Sequence, residues 1–211
     1  VGTFNPSIAG SGTTVITYGI AGACGDTSTQ SIVVNSLPVP SITANITTGC
    51  APLCVNFNEM GSAACNRVFY NFGDGFTDTT SSPVHCYQQG GTYNVTISCT
   101  DSNNCIGTTI DTNMITISTT PQADFTISPN QGVTPNTSVD FTDISTNAGS
   151  VNWNFGDIGS PDNTAIVSPA THTYADTGNY CITLIATNAN ACSDTITHCI
   201  VVENQPTVNI P

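Results

Sequence analysis

The ten cysteines of this 211-residue chain are its most reactive side chains, and their spacing limits the chemistry they can do. Cys50 and Cys54 are separated by three residues, as in some zinc sites. The other cysteines lie at positions that suit bridges from one strand to another. A reactive thiolate is not indicated, because the chain offers no electropositive setting to lower a thiol pKa. Disulfides persist in oxidising compartments, so the cysteine content predicts a secreted or cell-surface protein.

The remaining candidates for catalysis do not form a recognisable set. His85 and His172 both come from a repeated His-x-Tyr, which favours a structural role, and no Gly-x-Ser-x-Gly occurs. The chain contains no lysine for a Schiff base or a phosphate-binding loop. We therefore predict that it is not an enzyme and needs no cofactor, apart from the calcium considered below.

The charge balance excludes two classes of partner. Fourteen acidic residues and one basic residue, Arg67, give a net charge of −13. Nucleic acids and anionic membrane surfaces both require clustered Lys and Arg, so neither is a predicted partner. No apolar run approaches the ~20 residues of a membrane span, so membrane insertion is not predicted either.

One ordered set of motifs occurs twice. Phe-Tyr-Asn-Phe-Gly-Asp-Gly at 69–75 returns as Asn-Trp-Asn-Phe-Gly-Asp at 152–157. Each copy is followed by His-x-Tyr, Gly-x-Tyr and a strand rich in β-branched residues, at 85–97 and at 172–184. This set resembles the PKD (polycystic kidney disease) domain, an immunoglobulin-like β-sandwich of bacterial surface and secreted proteins. The resemblance implies an all-β chain of tandem immunoglobulin-like (PKD-type) β-sandwich domains, here with disulfides.

The same pattern predicts the domain organisation. Residues 1–36 match the end of the last repeat without a gap from Cys24 and Cys192 onward, so they are interpreted as the C-terminal part of an Ig-like repeat. Complete sandwiches are predicted at 41–118 and 121–203, and 205–211 as the start of a further repeat. The predicted strands are 14–20, 27–34, 42–46, 54–58, 68–72, 84–87, 93–100, 114–117, 123–127, 138–142, 151–155, 172–174, 180–187 and 195–202.

Strand positions suggest which cysteines pair. Cys181 and Cys199 lie on adjacent antiparallel strands, equally far from a turn near residue 190, and both point outward. Cys54 begins one strand and Cys86 ends the strand expected to pair with it, which makes them the second predicted pair.

Cys65 should lie at the same end of its sandwich as Cys105 and Cys99, so one of these two is its predicted partner. Cys24, Cys105 and Cys192 occupy equivalent turns in three repeats. Each turn cysteine either closes its own domain or bridges to the loop around Cys50 of a neighbouring domain. If Cys181 pairs with Cys199, Cys50 becomes the candidate partner of Cys192.

The acidic residues allow a calcium site, although no EF-hand pattern is present. The residues to test are Asp74, Asp78, Asp157 and Asp162. The alternative role of Asp74 and Asp157 is to shape the Gly-Asp turn by accepting hydrogen bonds from nearby amides. Thr79 and Thr195 lie in Asp-Thr-x sequences that resemble the O-glycosylation acceptors of some bacteria.

These features favour a stalk or spacer in a bacterial cell-surface adhesin or filament, with neighbouring repeats of the same protein as partners. Two alternatives stay open. One is a self-assembling fibre, in which residues 206–211 of one chain would dock with residues 14–34 of another. The other is an accessory or carbohydrate-binding module of a secreted hydrolase. It is less favoured because Trp153, the only Trp, is predicted to lie in the core.

Overall fold

The computed structural model describes residues 3–22, 24–61 and 65–204, and these are almost entirely β-strand. The predicted start of a further repeat at 205–211 lies outside the described residues. One short helix, α1 (Pro6–Ala9), begins after Asn5, whose side chain accepts a hydrogen bond from the Ser7 amide. No helix in these described ranges is long and apolar enough to cross a membrane.

The first two strands form a hairpin of their own. β1 (Gly12–Ile20) and β2 (Asp26–Val34) are antiparallel, with Gly12 opposite Val34 and Ile20 opposite Asp26. They form a two-stranded sheet. Several large apolar side chains of the hairpin remain exposed, among them Val15, Tyr18 and Val33. Two strands bury too little apolar surface to be stable alone, so the hairpin needs further contacts to be stable.

The first sandwich, β3 to β10, consists of a three-stranded sheet, β3-β5-β8, and a five-stranded sheet, β4-β10-β9-β6-β7. Phe57 of one sheet packs 6.5 Å from Tyr70 of the other, measured between ring centroids. The strands are β3 (Ile42–Ala44), β4 (Thr48–Cys50), β5 (Leu53–Glu59), β6 (Arg67–Asn71), β7 (Thr77–Asp78), β8 (Val84–Tyr87), β9 (Gly91–Thr100) and β10 (Ile106–Ser118).

The second sandwich, β11 to β17, has sheets β11-β12-β15 and β14-β13-β16-β17. Its core contains Phe141 and Trp153, whose ring centroids are 6.0 Å apart. The strands are β11 (Phe125–Ser128), β12 (Ser138–Asp143), β13 (Ser150–Asn154), β14 (Thr164–Ala165), β15 (Ala170–Thr173), β16 (Gly178–Thr187) and β17 (Ser193–Val202).

Alternation along the strands decides which side chains fill the cores. Val95, Ile97 and Cys99 are buried on β9, while the residues between them are less buried. The period of two places successive side chains on opposite faces of a sheet, so every second residue of a strand is enough to fill the core.

The prediction from the sequence missed four short elements and the first half of a long strand. The helix α1 and the two- or three-residue strands β4, β7 and β14 carry too few residues to show a period. β10 begins at Ile106, whereas its predicted start is residue 114. Its first half is rich in Thr, Asp and Asn and becomes a strand because β9 lies beside it in the sheet.

By Cα proximity the chain divides into two compact units. Two short segments of the first sandwich, Thr48–Leu53 and Gln88–Gly91, group with the second unit. The first unit comprises Val1–Thr47, Cys54–Tyr87 and Thr92–Thr116, and the second also contains Ile117–Pro211.

Candidate functional site

The Gly-Asp turn of the first sandwich is built around an aspartate–histidine pair. His85 Nε2 lies 2.6 Å from Asp74 Oδ2, and the His85 ring stacks on Phe72 with centroids 4.2 Å apart. The other carboxylate oxygen of Asp74 accepts a hydrogen bond from the Phe76 amide at 3.2 Å. Gly73 adopts φ 84°, and a side chain there would meet the Asn94 backbone. The turn therefore requires glycine and uses both oxygens of the aspartate.

The second sandwich repeats this arrangement. His172 Nε2 lies 3.0 Å from Asp157 Oδ2, and the His172 ring stacks on Phe155 at 4.7 Å. Gly156 has φ 74° and donates its amide to Asn154, as Gly73 donates to Asn71. The two copies thus share the histidine–aspartate pair and the glycine hydrogen bond as well as their sequence.

A buried tyrosine completes each copy. The Tyr87 hydroxyl donates to the Phe72 carbonyl at 3.0 Å, and the Tyr174 hydroxyl donates to the Phe155 carbonyl at 3.0 Å. Burial raises the pKa of Tyr87, and the charge of Asp74 raises it further. Burial and then Asp157 raise the pKa of Tyr174 in the same way. The hydroxyls remain protonated and hold the turn onto the core.

This chemistry is structural. The His172 side chain is 2% exposed and that of His85 is 12% exposed, so neither ring is presented to a substrate. Each imidazole has one nitrogen committed to a carboxylate and a face committed to a phenylalanine. The pair orients the turn rather than activating a nucleophile.

The four proposed calcium ligands lie in different units. Asp74 and Asp78 belong to the first unit, and Asp157 and Asp162 to the second. Asp78 Oδ1 accepts hydrogen bonds from the amide and hydroxyl of Thr80, which lower the pKa of Asp78. Across the described ranges no group of three or more His, Cys, Asp or Glu side chains is placed to hold a metal ion. A calcium site here stays a prediction.

Two disulfides join the cysteines that strand positions suggest. Cys181 and Cys199 lie directly opposite each other on β16 and β17, with Cα atoms 4.0 Å apart. Cys54 and Cys86 are bonded with Cα atoms 3.9 Å apart.

The third disulfide distinguishes the two partners considered for Cys65. Of the two partners considered for Cys65, the structure uses Cys99, and Cys105 has a free, half-buried thiol. The choice follows from the strand register, because Cys99 is buried on β9 directly opposite Val68 of β6. Cys105 lies beyond the end of β9, in the turn before β10. The turn of Cys105 is held by Asp101, which accepts from the amides of Asn103 and Cys105.

The fourth disulfide joins Cys50 to Cys192, with Cα atoms 5.6 Å apart and a sequence separation of 142. This is the bridge named in the sequence analysis for the case in which Cys181 pairs with Cys199. The segment containing Cys50 groups with the second unit, so the bond lies within that unit. Cys24 is exposed and, like Cys105, free.

The two predicted glycosylation sites are accessible. Thr79 and Thr195 are both exposed, Thr79 directly after β7 and Thr195 on β17. Exposure is necessary for modification but not specific to it, so glycosylation stays a prediction.

Sequence reasoning missed the exposure of Phe69, one of several exposed aromatic residues. Phe69 lies on the aromatic strand β6 and is 45% exposed, because Val68 and Tyr70 take the inward positions. The period of two within residues 68–72 could have predicted that Phe69 faces outward.

The comparisons with known proteins agree with this fold. Two family models, each described as a PKD domain, match residues 35–117 and 124–201. A microbial collagenase of Vibrio alginolyticus is 36% identical over 90 residues, which is 41% of this chain and 11% of the collagenase. The chain therefore spans about a tenth of the length of that relative.

Solved structures of PKD domains are similar to this chain at low identity. The PKD1 domain of the Vibrio cholerae metalloprotease PrtV is 23% identical, covers 38% of this chain and 99% of its own, and gives a TM-score of 0.34. The PKD1 domain of Vibrio anguillarum Epp is 20% identical, covers 40% and 100%, and gives 0.35. Since both family matches coincide with a β-sandwich bearing the Gly-Asp turn, the chain belongs to the PKD domain family and carries two such domains in tandem.

Proposed function

We propose that this chain is a spacer that carries tension in a secreted or cell-surface bacterial protein, as in the stalk of an adhesin or filament. The observation that carries the proposal is the Cys50–Cys192 disulfide, which joins a residue of one PKD match to a residue of the other. Four disulfides support an oxidising, extracellular setting.

The disulfide gives the chain a covalent route for force. A pull on the two ends runs through residue 50, across the sulfur–sulfur bond and out through residue 192. The 142 residues of separation between the cysteines are then shielded from extension. At ~3.4 Å per residue this shielded stretch is about 480 Å long when extended. A spacer built this way keeps its length even if the shielded strands open.

Single-molecule force spectroscopy on the whole chain tests this proposal. The double variant Cys50→Ser/Cys192→Ser should extend about 300 Å further than the oxidised chain, because the other three disulfides still shorten the path. The matched control is Cys181→Ser/Cys199→Ser, whose disulfide is not on the shortest covalent path. It should leave the extension unchanged, and equal extension of all three proteins would contradict the proposal.

The unpaired turn cysteine supports a longer array. The turn at Asp101 and Cys105 has the same hydrogen bonds as the turn at Asn188 and Cys192, where Asn188 accepts from the amides of Asn190 and Cys192. A cysteine of a further repeat is the expected partner of Cys105, by analogy with Cys192. Disulfide mapping of the native protein tests this: a Cys105 thiol that stays free would count against a cross-linked array.

The acidic surface suits the same role. A net charge of −13 makes neighbouring arrays repel one another and keeps them soluble.

A second candidate function is an accessory module of a secreted hydrolase. It is favoured by the 36% identity over 90 residues with the microbial collagenase of Vibrio alginolyticus. A catalytic domain in the same native polypeptide, found by peptide mapping, would decide for this candidate over the adhesin stalk.

A self-assembling fibre is the third possibility, and the hairpin motivates it. In the second sandwich β16 is flanked by both β13 and β17, whereas β1 pairs only with β2 among the described strands. An open edge of this kind can accept a strand from another chain. Light scattering tests it, since a mass that stays monomeric at every concentration would exclude strand exchange.

A further inference from the structure

A surface pocket on the first sandwich is not explained by a spacer role. It has a volume of about 780 Å³ and lies beside β6 and β9. Its lining includes Glu59, Arg67, Phe69, Thr79, Ser98 and Thr100, all of which belong to the first unit. The volume lies within the range of small-molecule sites, ~300–1,000 Å³.

Arg67 gives the pocket its charge. It is the only basic residue in a chain with fourteen acidic residues, and its side chain is exposed. Among the described residues no carboxylate lies within 4.0 Å of its guanidinium, although Glu59 lines the same pocket. Glu59 instead accepts a hydrogen bond from the Gly61 amide. The one cation of the chain is therefore available to an external anion.

Phe69 gives the pocket an apolar wall. It lies on the same face of β6 as Arg67, two residues along, which places the two side chains ~7 Å apart. The register sets Phe69 opposite Ser98 and Arg67 opposite Thr100 on β9. An exposed ring and a guanidinium thus stand beside a row of hydroxyl groups.

The geometry points to a binding site for an acidic sugar, such as a hexuronic acid within an oligosaccharide. The guanidinium matches the fork of a carboxylate and can bind it through two hydrogen bonds. The Phe69 ring offers an apolar surface to the C–H face of a pyranose. Ser98, Thr100 and Thr79 offer hydroxyl partners for the sugar hydroxyls.

The charge of the chain also restricts the anion. With a net charge of −13, each additional negative charge on a ligand is repelled by the surrounding carboxylates. A carboxylate carries one negative charge and a phosphate monoester carries about −1.5 to −2, so a sugar with a single carboxylate suits a single arginine better than a phosphorylated sugar.

The second sandwich supplies an internal control. Ser150 and Asn152 occupy the register positions of Arg67 and Phe69, opposite Thr187 and Ile185. That face has neither a guanidinium nor an exposed ring at these positions. The binding site is therefore specific to the first sandwich, and it does not depend on the spacer role.

Isothermal titration of the oxidised chain with a galactotriose in which one residue is replaced by galacturonate tests the inference, with unmodified galactotriose as the neutral control. The mono-acidic trisaccharide should bind at least about tenfold more tightly than the neutral sugar, since a charge-assisted hydrogen bond to Arg67 is lost in the latter. The variants Arg67→Ser and Phe69→Asn, which install the residues of the second sandwich, should each weaken binding of the mono-acidic trisaccharide about tenfold. Both replace exposed side chains, so the melting temperature should not change.

The opposite substitution in the second sandwich completes the design. Asn152→Phe alters the equivalent position of the other sheet and should leave binding unchanged. Equal binding of the acidic and neutral sugars, undetectable binding of both, or unchanged binding by Arg67→Ser would each overturn the inference.

Discussion

The two sandwiches share the Gly-Asp turn with its aromatic contacts and differ in their disulfides, in one central aromatic residue and on their surface. Both hold an aspartate, a histidine and a tyrosine against a phenylalanine, with ring stacking of 4.2 Å in the first and 4.7 Å in the second. Apart from these shared contacts, the first sandwich has two internal disulfides and the pocket of Arg67. The second sandwich has one internal disulfide and a tryptophan in its core. The repeated residues therefore specify the fold, and the residues that differ are the candidates for function.

The central aromatic residue is where the largest effect is expected. Trp153 replaces Tyr70 at the centre of the sandwich, is fully buried and donates its indole N–H to the Val167 carbonyl at 2.9 Å. Trp153→Ala should lower the free energy of unfolding of the second sandwich by about 3–5 kcal/mol, because it removes a large buried ring and leaves a cavity. Urea denaturation followed by circular dichroism measures this change.

The control for Trp153 is another residue of the aromatic strands. Phe69→Ala, at an exposed position, should change stability by no more than about 0.5 kcal/mol. A loss of stability as large as that of Trp153→Ala would mean that Phe69 is part of the core.

Reduction of the disulfides should affect the two sandwiches unequally. The first loses two internal bridges, Cys54–Cys86 and Cys65–Cys99, and the second loses Cys181–Cys199. The comparison is made in the Cys50→Ser/Cys192→Ser variant, because reduction of the unmodified chain would also break the bridge between the two PKD matches. At about 2–4 kcal/mol per bridge, the first sandwich of this variant should lose roughly twice as much stability as the second. Hydrogen-exchange mass spectrometry with and without reductant resolves peptides from each sandwich.

A variant separates the contributions of these bridges. Cys181→Ser/Cys199→Ser should destabilise peptides of the second sandwich only. Equal loss of protection in both sandwiches would show that they unfold as one cooperative unit, which contradicts the unequal effect expected here.

The shared interior was largely predictable from the sequence, and the surface was not. The Gly-Asp turn, its His-x-Tyr and the alternating strands recur at fixed spacing, so the fold and the Cys181–Cys199 bridge could be inferred. The partner of Cys65 could not, because two cysteines lay at the same end of the sandwich and only the register of β6 against β9 distinguishes them. The pairing of Asp74 with His85 was missed because it joins residues eleven apart across a turn.

The buried tyrosines should make the first sandwich more sensitive to alkali. Burial, followed by the charge of Glu59, raises the pKa of Tyr70 to about 12, and burial also raises the pKa of Tyr87. The second sandwich has one fully buried tyrosine, Tyr174. A folded-state pKa above the unfolded value of ~10 means that the unfolded state releases its proton first, so stability is retained below pH ~10 and falls as the pH rises above it.

The slope of the free energy of unfolding against pH measures how many tyrosines contribute to this loss of stability. Each fully buried tyrosine should contribute up to about 1.4 kcal/mol per pH unit. The half-buried Tyr180 of the second sandwich, whose pKa is also raised mainly by burial, should contribute less, so the first sandwich should have the steeper slope. Urea titrations between pH 9 and pH 11, as approximate limits around the tyrosine pKa, test this with circular dichroism for both sandwiches and Trp153 fluorescence for the second. Tyr70→Phe should lower the slope of the first sandwich to or below that of the second, and equal slopes in the unmodified chain would contradict the assignment.

Calcium should have the smallest effect on either sandwich. Asp74 and Asp157 each already bond to a histidine through Oδ2, and Asp78 bonds to Thr80, so calcium would have to displace these contacts to bind. Hard cations such as calcium prefer six to eight oxygen ligands, and among the described residues no group of three or more His, Cys, Asp or Glu side chains is placed to contribute to such a set. We expect added calcium or a chelator to leave both melting temperatures unchanged. If calcium instead raises the melting temperature of the first sandwich, and Asp78→Asn abolishes that rise while Asp162→Asn does not, the first turn binds the ion and the two sandwiches differ in metal binding as well.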